Sequence, residues 1–400
     1  MQHFEVLEPR RLFAAVFPTD LEQYELELIN RARANPSAEA ARFGIDLNEG
    51  LAAGTITTAS KQPLAMNLNV VDAARGHSEW MIDNDLFQHE GPGTKDPGDR
   101  MTDAGYSFVA PYTWGENIAY RSSKPSAPDP FTAATQEHED LFVDKGIADR
   151  GHRTNMMNDA FKEIGVGFVN GEFKTYNAVM LTTDFAATGT GSFLTGVAYN
   201  DTVTADHFYT PGEGMSNVTI TATRIGDGAI FSTHSWATGG YSLKLNSGQY
   251  VVRATGGGLG LRTLTYGNIG IADQNVKADF RTADVGTIRG FVFNDSNHNG
   301  VLDTGESNIG GAVLYLDTHR DGKRNRGEIY ARSNSGGAYA FRDLLPGVYR
   351  LREQLPVGQT LVAPAAGYYN TTFTVGKLMG GRNFANTASP VRHVLDLIDG

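Results

Sequence analysis

The chain has 400 residues, with 34 Lys and Arg against 45 Asp and Glu for a net charge of −11, 47 glycines and no cysteine. At a prior of about 150 residues per domain this length holds roughly two or three domains, and an acidic balance without a long basic stretch argues against a nucleic-acid reader or a binder of anionic membranes. The lack of cysteine excludes disulfide frameworks, thiolate metal sites and cysteine nucleophiles, though not export; the glycine content favours turn-rich β structure over a large helical protein.

No apolar run of about 18 residues occurs, so no transmembrane segment is predicted. Near the N-terminus, Leu12–Phe17 is short for the apolar core of a secretory signal, although Arg10 and Arg11 precede it. Leu7–Leu12 (LEPRRL) resembles a short N-terminal tag of large exported proteins from some environmental bacteria, and residues 1–19 read as such a tag or as a disordered start. A helix is predicted from Asp20, which stands three residues ahead of Gln23, with Leu21, Tyr24, Leu28 and Ile29 on one face and Pro36 closing it. A second covers Leu68–Leu86, where Leu68, Val71, Ala74, Met81 and Ile82 fall at helical spacing. A third starts at Asp129-Pro130, where Asp caps and Pro fits the first turn, and runs toward Phe142. Ile164–Val169 and Ala178–Phe185 are strand-like, so residues 20–190 read as a mixed α/β unit.

Beyond Gly189 short β runs alternate with Gly, Asn and Asp, the pattern of β-sandwich domains. An internal duplication is visible: Gly196-Val-Ala-Tyr-Asn-Asp201 matches Gly290-Phe-Val-Phe-Asn-Asp295, Pro211-Gly212-Glu213 matches Thr304-Gly305-Glu306, Tyr241 matches Tyr339, and Tyr250 matches Tyr349. Two β-sandwich domains are therefore expected, over 191–286 and 287–385, followed by a tail, 386–400, in which Val391, Leu395 and Ile398 are spaced for a turn or two of helix.

In the second copy, Asp295, Asn297, Asn299, Gly300, Val301, Asp303 and Glu306 fill the positions of a twelve-residue calcium loop: side-chain oxygens at positions 1, 3, 5 and 9, a glycine at 6, a main-chain carbonyl at 7 and a bidentate Glu at 12. Hard oxygen donors in this number suit Ca²⁺. Asp317, His319, Asp321, Gly322, Lys323, Asn325 and Glu328 repeat the spacing, but His319 replaces an oxygen ligand, and Arg320, Lys323, Arg324 and Arg326 weaken cation binding; the other reading is a polar turn held by Asp and Asn side chains. Strand-like Arg289–Asn294 and Ala312–Leu316 flank the loops, so these are loops between strands. With Gly336-Gly337-Ala-Tyr339 and Leu345-Pro346-Gly347-Val-Tyr349, residues 287–385 resemble the SdrD B-like repeats of bacterial surface adhesins. In the first copy the loop is eroded: His207, Phe208 and Tyr209 follow Asp201 and Asp206, Asn-Gly is missing and Glu213 falls one position late, so calcium is not expected there.

His77, His89, Glu116, Asp144 and His152 are the titratable candidates of the first unit, for divalent metal binding or acid–base chemistry. Phe87-Gln-His89, Arg100 ahead of Ala104-Gly105-Tyr106, Gly115-Glu116-Asn117-Ile118, Gly151-His152-Arg153-Thr-Asn155 and Ile164-Gly-Val-Gly167 occur in the order of the CAP superfamily, also called the SCP or cysteine-rich secretory protein family, and the resemblance covers about residues 20–187. It implies an α-β-α sandwich with a central cleft, in which His89, Glu116 and His152 correspond to the family's two histidines and first acid. For the second acid, Asp144 is the nearest match and Asp149 the fallback. His77 reads as a buried, hydrogen-bonded support, Arg153 and Asn155 as supports of the loop around His152, and Tyr112 and Trp114 as core or cleft wall. Two neutral imidazoles with one or two carboxylates suit Zn²⁺.

Two classes of function follow. The preferred one is a secreted or cell-surface protein that binds a lipid, glycan or peptide in the His/Glu cleft, carries it on calcium-stabilised β repeats, and meets cell-envelope or extracellular-matrix components. The alternative is a metal-dependent hydrolase or protease using the same cleft, against which stands the absence of a Gly-x-Ser-x-Gly elbow or a His-Glu-x-x-His helix. A purely structural surface module is the third possibility.

Overall fold

The computed structural model describes residues 17–388; the tag-like Leu7–Leu12 and the spaced Val391, Leu395 and Ile398 lie outside the described residues. The chain divides into two compact units, the first reaching to Thr190 and taking in Trp236–Thr238, the second made of Gly191–Ser235 and the chain from Gly239 on.

In the first unit, α1 (Asp20–Ala34) is capped one residue earlier than the sequence suggests: Thr19 is the N-cap, and Glu22 returns a carboxylate to the Thr19 N–H at 2.7 Å, closing a capping box. Pro36 ends α1 by starting α2 (Pro36–Arg42) with Asn35 as cap. The remaining helices are α3 (Leu68–Asp83), α4 (Pro97–Asp103), α5 (Pro130–Val143, capped by Asp129) and α6 (Gly151–Met156). Strands β1 (Ala65–Met66), β2 (Tyr112–Ser123), β3 (Glu163–Phe173) and β4 (Tyr176–Thr188) form one sheet in the order β1-β3-β4-β2, antiparallel except for β1 with β3. Helix α3 lies directly on β3 because Gly165 and Gly167 leave no side chain in the way: a Cβ there would stand 2.1 Å from Val70 and 2.3 Å from Ala74 main chain. The result is the expected α-β-α sandwich.

The second unit is all β and repeats itself, the second copy adding one strand, β18, to the pattern of the first. The first copy holds β5 (Ser192–Tyr199), β6 (Thr219–Arg224), β7 (Ile230–His234), β8 (Gly240–Leu245), β9 (Gly248–Thr255), β10 (Thr263–Ile271), β11 (Val276–Lys277) and β12 (Phe280–Arg281). The second holds β13 (Gly286–Asn294), β14 (Val313–Leu316), β15 (Tyr330–Arg332), β16 (Ala338–Leu344), β17 (Gly347–Gln354), β18 (Gln359–Ala363), β19 (Tyr369–Phe373), β20 (Leu378–Met379) and β21 (Phe384–Ala388). The register is shared: Gly196 faces Tyr241 as Gly290 faces Tyr339, and Phe280 lies beside Ala198 as Phe384 lies beside Val292. The buried tyrosines keep their partners too, Tyr250 donating to Asn246 O at 2.8 Å and Tyr349 to Leu345 O at 2.5 Å. Each copy has its own apolar core, yet the copies are not separate sheets. Thr265 of β10 pairs with Leu344 of β16, and Leu345 is buried in the first copy's core.

Candidate functional site

Glu116 lies mid-strand on β2, paired in register with Asp184 of the central β4, and is buried. Three elements converge on its carboxylate. From α4, Arg100 donates to Oε2 and also to the carbonyls of His89 (2.7 Å) and Lys95 (3.1 Å), which fixes the loop that presents His89. From that loop, His89 Nδ1 donates to Oε1 at 2.7 Å while its side chain remains 52% exposed. From α3, His77 Nε2 stands 3.8 Å from Oε2; this nitrogen donates to Gln88 O at 3.0 Å, since a carbonyl only accepts. Burial pulls His77 down to about 4 despite the attraction of Glu116, so the ring is neutral, whereas the hydrogen bond to Glu116 raises His89. Asp184, fully buried beside the Glu116 charge, is pushed well above the usual carboxyl range by burial and then by that charge.

His152 has a different partner. Helix α5 ends on Asp144 in the left-handed conformation (φ 53°), and its buried carboxylate reaches the start of α6: Oδ1 accepts His152 Nδ1 at 2.8 Å, and Oδ2 accepts the main-chain N–H groups of His152 at 2.9 Å and Arg153 at 3.3 Å. The buried Arg153 fixes the surrounding loops through the carbonyls of Phe142 (2.6 Å), Val143 (2.5 Å), Leu47 (3.0 Å) and Glu49 (3.1 Å). Asp149 is exposed in the turn before α6.

The two carboxylate–imidazole pairs are joined through amides. Asn155 donates to Glu116 O at 3.1 Å and to Asn117 Oδ1 at 3.0 Å, and Asn117 donates to His152 O at 3.1 Å. Successive residues of a strand point to opposite faces, so Glu116 turns to α3 and α4 while Asn117 turns to α6. Among the described residues no group of three or more His, Asp and Glu side chains is gathered as a metal cage. The pairs differ in surroundings: beside His152 and Asp144 opens a cavity of about 320 Å³ walled by Phe87, Ile118, Tyr120, Leu141, Val143 and Ile147. Tyr112 and Trp114 line another, of about 580 Å³, with Asp96, Asp99 and Phe108. Sequence reading passes over two members of the Glu116 group, Arg100 as its ion partner and Asp184; the latter's signal is the one acid inside the strand run Ala178–Phe185.

In the loop 295–306, Asp295 is buried and its oxygens accept the N–H groups of Asn299 (3.2 Å) and Gly300 (2.7 Å). Asp303 accepts the side-chain amides of Asn297 (2.8 Å) and Asn299 (2.7 Å), Glu306 accepts the N–H groups of Ser296 (2.8 Å) and Asp303 (3.0 Å), and the Val301 N–H donates to Asn299 Oδ1 at 2.7 Å. The loop 317–328 follows the same trace, with left-handed His298 and Gly300 matched by Arg320 and Gly322. Glu328 accepts the N–H groups of Thr318 (2.7 Å), His319 (3.3 Å) and Asn325 (2.8 Å), and Asp321 accepts the Lys323 N–H at 2.9 Å and the Asn325 amide at 3.0 Å. Here Asp317 Oδ2 also accepts Arg352 Nε at 2.6 Å.

A family model described as Cysteine-rich secretory protein family matches residues 26–185, and one described as SdrD B-like domain matches residues 286–374. The uncharacterised protein YkwD of Bacillus subtilis is 31% identical over 119 residues, 28% of this chain and 40% of that protein. Colossin-A of Dictyostelium discoideum is 28% identical over 203 residues, 44% of this chain but 2% of that protein. Among solved structures, an extracellular SCP-domain protein from Bacillus anthracis aligns at 22% identity and a TM-score of 0.26 over 41% of this chain and 40% of that one. The matches thus span less than half the length of each of these relatives, and no helix among the described residues is long and apolar enough to cross a membrane. Residues 26–185 belong to the cysteine-rich secretory protein (CAP) family, and residues 286–374 form an SdrD B-like domain on the same chain.

Proposed function

We propose that this is a secreted or cell-surface protein whose CAP domain binds an amphiphilic ligand of the lipid class, and whose β copies are its calcium-stabilised carrier. The observation that carries the reading is the cavity of about 320 Å³, in the size range of small-molecule sites, with seven apolar or aromatic wall residues and His152, Asp144, Asp140 and Lys145 as polar groups. An acyl or aromatic group lies on the wall, and a polar head meets His152. Titration of the full chain with dodecylphosphocholine below its micellar concentration, followed by tryptophan and tyrosine fluorescence, tests this. Ile147, 46% exposed on the wall, allows a change that spares the core. Ile147→Glu is expected to weaken binding at least tenfold, and equal binding by both proteins refutes the lipid reading.

One observation supports a metal as well. Each imidazole gives its Nδ1–H to a carboxylate, the arrangement that orients a histidine to ligate through Nε2. A zinc here would take His89 and His152 as ligands, with Glu116 and Asp144 orienting them, and would supply Lewis acidity, the chemistry of the hydrolase alternative. Calorimetric titration at pH 7.5 with no zinc uptake, or uptake unchanged in His89→Ala, removes this reading and the hydrolase with it.

The loop 295–306 is the proposed primary Ca²⁺ site; the loop 317–328, whose Asp317 already carries Arg352, binds more weakly. Because Ca²⁺ binds the folded loop and not the unfolded chain, a hundredfold excess over the dissociation constant stabilises by about 2.7 kcal/mol. Asp295→Ala should remove most of the calcium-dependent shift in the melting of the second unit.

A further inference from the structure

The three loops that begin on an Asp and end on Gly-Glu share one scaffold. Gly212, Gly305 and Gly327, each just before the closing Glu, have φ of 94°, 97° and 90°, a conformation that favours glycine. The Glu that follows gathers main-chain N–H groups in every case: Glu213 takes those of Val203 (2.9 Å), Thr204 (3.1 Å) and Thr210 (2.8 Å), as Glu306 and Glu328 do in their own loops. Bridges between Tyr199 and Gly214 and between Phe293 and Asn308 close the first two at matching places. The eroded loop of the first copy therefore keeps the frame of a calcium loop while lacking its Asn ligands and its Asn-Gly turn.

It also keeps a positive charge. Arg281, whose side chain is 4% exposed, donates from one nitrogen to Asp201 and from another to Asp284 and the ring of His207. Asp201 is the residue that matches Asp295, the first position of the calcium loop, and it accepts the loop N–H groups of Asp206 (3.1 Å) and His207 (3.2 Å) in the same manner. The origin of the arginine can be read from the register. In the first copy Phe280 and Arg281 run beside Ala198 and Tyr199; in the second, Phe384 and Ala385 run beside Val292 and Phe293. Arg281 thus occupies the place of Ala385, on the strand that flanks the first Asp of each loop. A guanidinium added at this one position supplies the cation where the second copy offers oxygen ligands and a small side chain.

We propose that Arg281 is the built-in substitute for calcium in the first copy, so that the loop 201–213 is held by the chain's own cation and is indifferent to calcium, while the loop 295–306 depends on it. The inference rests on the calcium reading only for the second half of that statement. Hydrogen–deuterium exchange of the full chain, read on peptides covering 199–213 and 294–306, separates the two. In wild type, chelation is expected to raise exchange at least tenfold in 294–306 and to leave 199–213 unchanged. Arg281→Met, which keeps the apolar stem and removes the charge, should raise exchange at least tenfold in 199–213 with or without calcium, and Arg281→Lys should restore most of the protection. The reciprocal Ala385→Arg should abolish the response of 294–306 to chelator; if that variant does not fold, the Arg281 series still decides. Protection of 199–213 that follows calcium, or that survives Arg281→Met, overturns the proposal. Failure of 294–306 to respond in wild type, with the Arg281 series as expected, would instead sink the calcium reading and leave the arginine in place.

Discussion

The two imidazoles of the CAP domain rest on carboxylates that are held in opposite ways. Glu116 is held by side chains, with Arg100, His77, His89 and the buried Asp184 around it, whereas Asp144 is held by the N–H groups at the start of α6. A main-chain cradle does not titrate and has no rotamers to lose; a cradle of ionisable side chains has both. The His89 side is accordingly one place where pH acts on the domain, and the His152 side is the one held by main chain, adjacent to the cavity.

The sharpest way to break this comparison is to remove the guanidinium. Arg100→Met leaves Glu116 buried beside the neutral His77 ring and the buried Asp184, and the loss of one partner of a buried ion pair costs about 3–5 kcal/mol. Urea denaturation of the full chain measures it, and adding Glu116→Gln to Arg100→Met should recover a good part. A loss below about 1 kcal/mol, within the range of surface pairs, would mean that Glu116 is not held by charge.

The next effect is a slope. His77 titrates at about 4 in the folded state against 6.5 for its ordinary value, so the unfolded chain binds more protons between these limits. Its contribution is fully present above pH 6.5 and is lost as pH falls toward 4, about 3 kcal/mol across the window at roughly 1.4 kcal/mol per unit. His89 and Asp184, both raised, act with the opposite sign: what they contribute is present at low pH and fades as pH rises through their folded values. Stability measured from pH 4 to 7 should therefore fall less steeply toward acid in His77→Gln than in wild type, and more steeply in His89→Gln. Parallel curves for all three proteins would remove the assignment of the pH response to this pair.

What the sequence disclosed follows how far each feature is spread along the chain. A twelve-residue loop is local, so the order of oxygen-bearing residues from Asp295 to Glu306 and the duplication of its frame are legible without the fold. Helix α5 is equally local, its cap Asp129 and Pro130 standing where a helix start requires them. The start of α1 shifts by a residue because Thr19 and Glu22 satisfy each other, a pairing that Asp20 and Gln23 imitate at the same spacing. Strand β2 goes unread: Gly115, Glu116 and Asn117 have poor strand propensity, and only twelve consecutive partners on β4 stabilise it. Arg100 and Glu116 meet because α4 packs beside β2, and nothing in their spacing encodes that. The joining of the two β copies, by Thr265 with Leu344, Leu345 in the first core and the Arg262–Asp343 ion pair, links residues far apart in the chain, and it too lies beyond local patterns.

The smallest expected effect sharpens the comparison from the other side. Asp144→Asn keeps the left-handed backbone, which asparagine tolerates, and its amide oxygen still accepts the N–H groups of His152 and Arg153. The amide nitrogen, placed where Oδ1 was, cannot accept from His152 Nδ1, so the ring must take its other tautomer and accept there instead. One hydrogen bond is exchanged and none is left open, which limits the cost to about 1 kcal/mol in urea denaturation. His77, His89 and Asp184 are untouched by this change, so the acid slope they produce should persist. Zinc should respond far more than stability: with Nε2 now carrying the proton, the ligand atom is lost, and affinity should fall about 10–100-fold, the usual range for a disturbed supporting shell. An Asp144→Asn protein whose acid slope changes as much as that of His77→Gln would show that Asp144 takes part in that slope, and the contrast between a side-chain cradle and a main-chain cradle would fall.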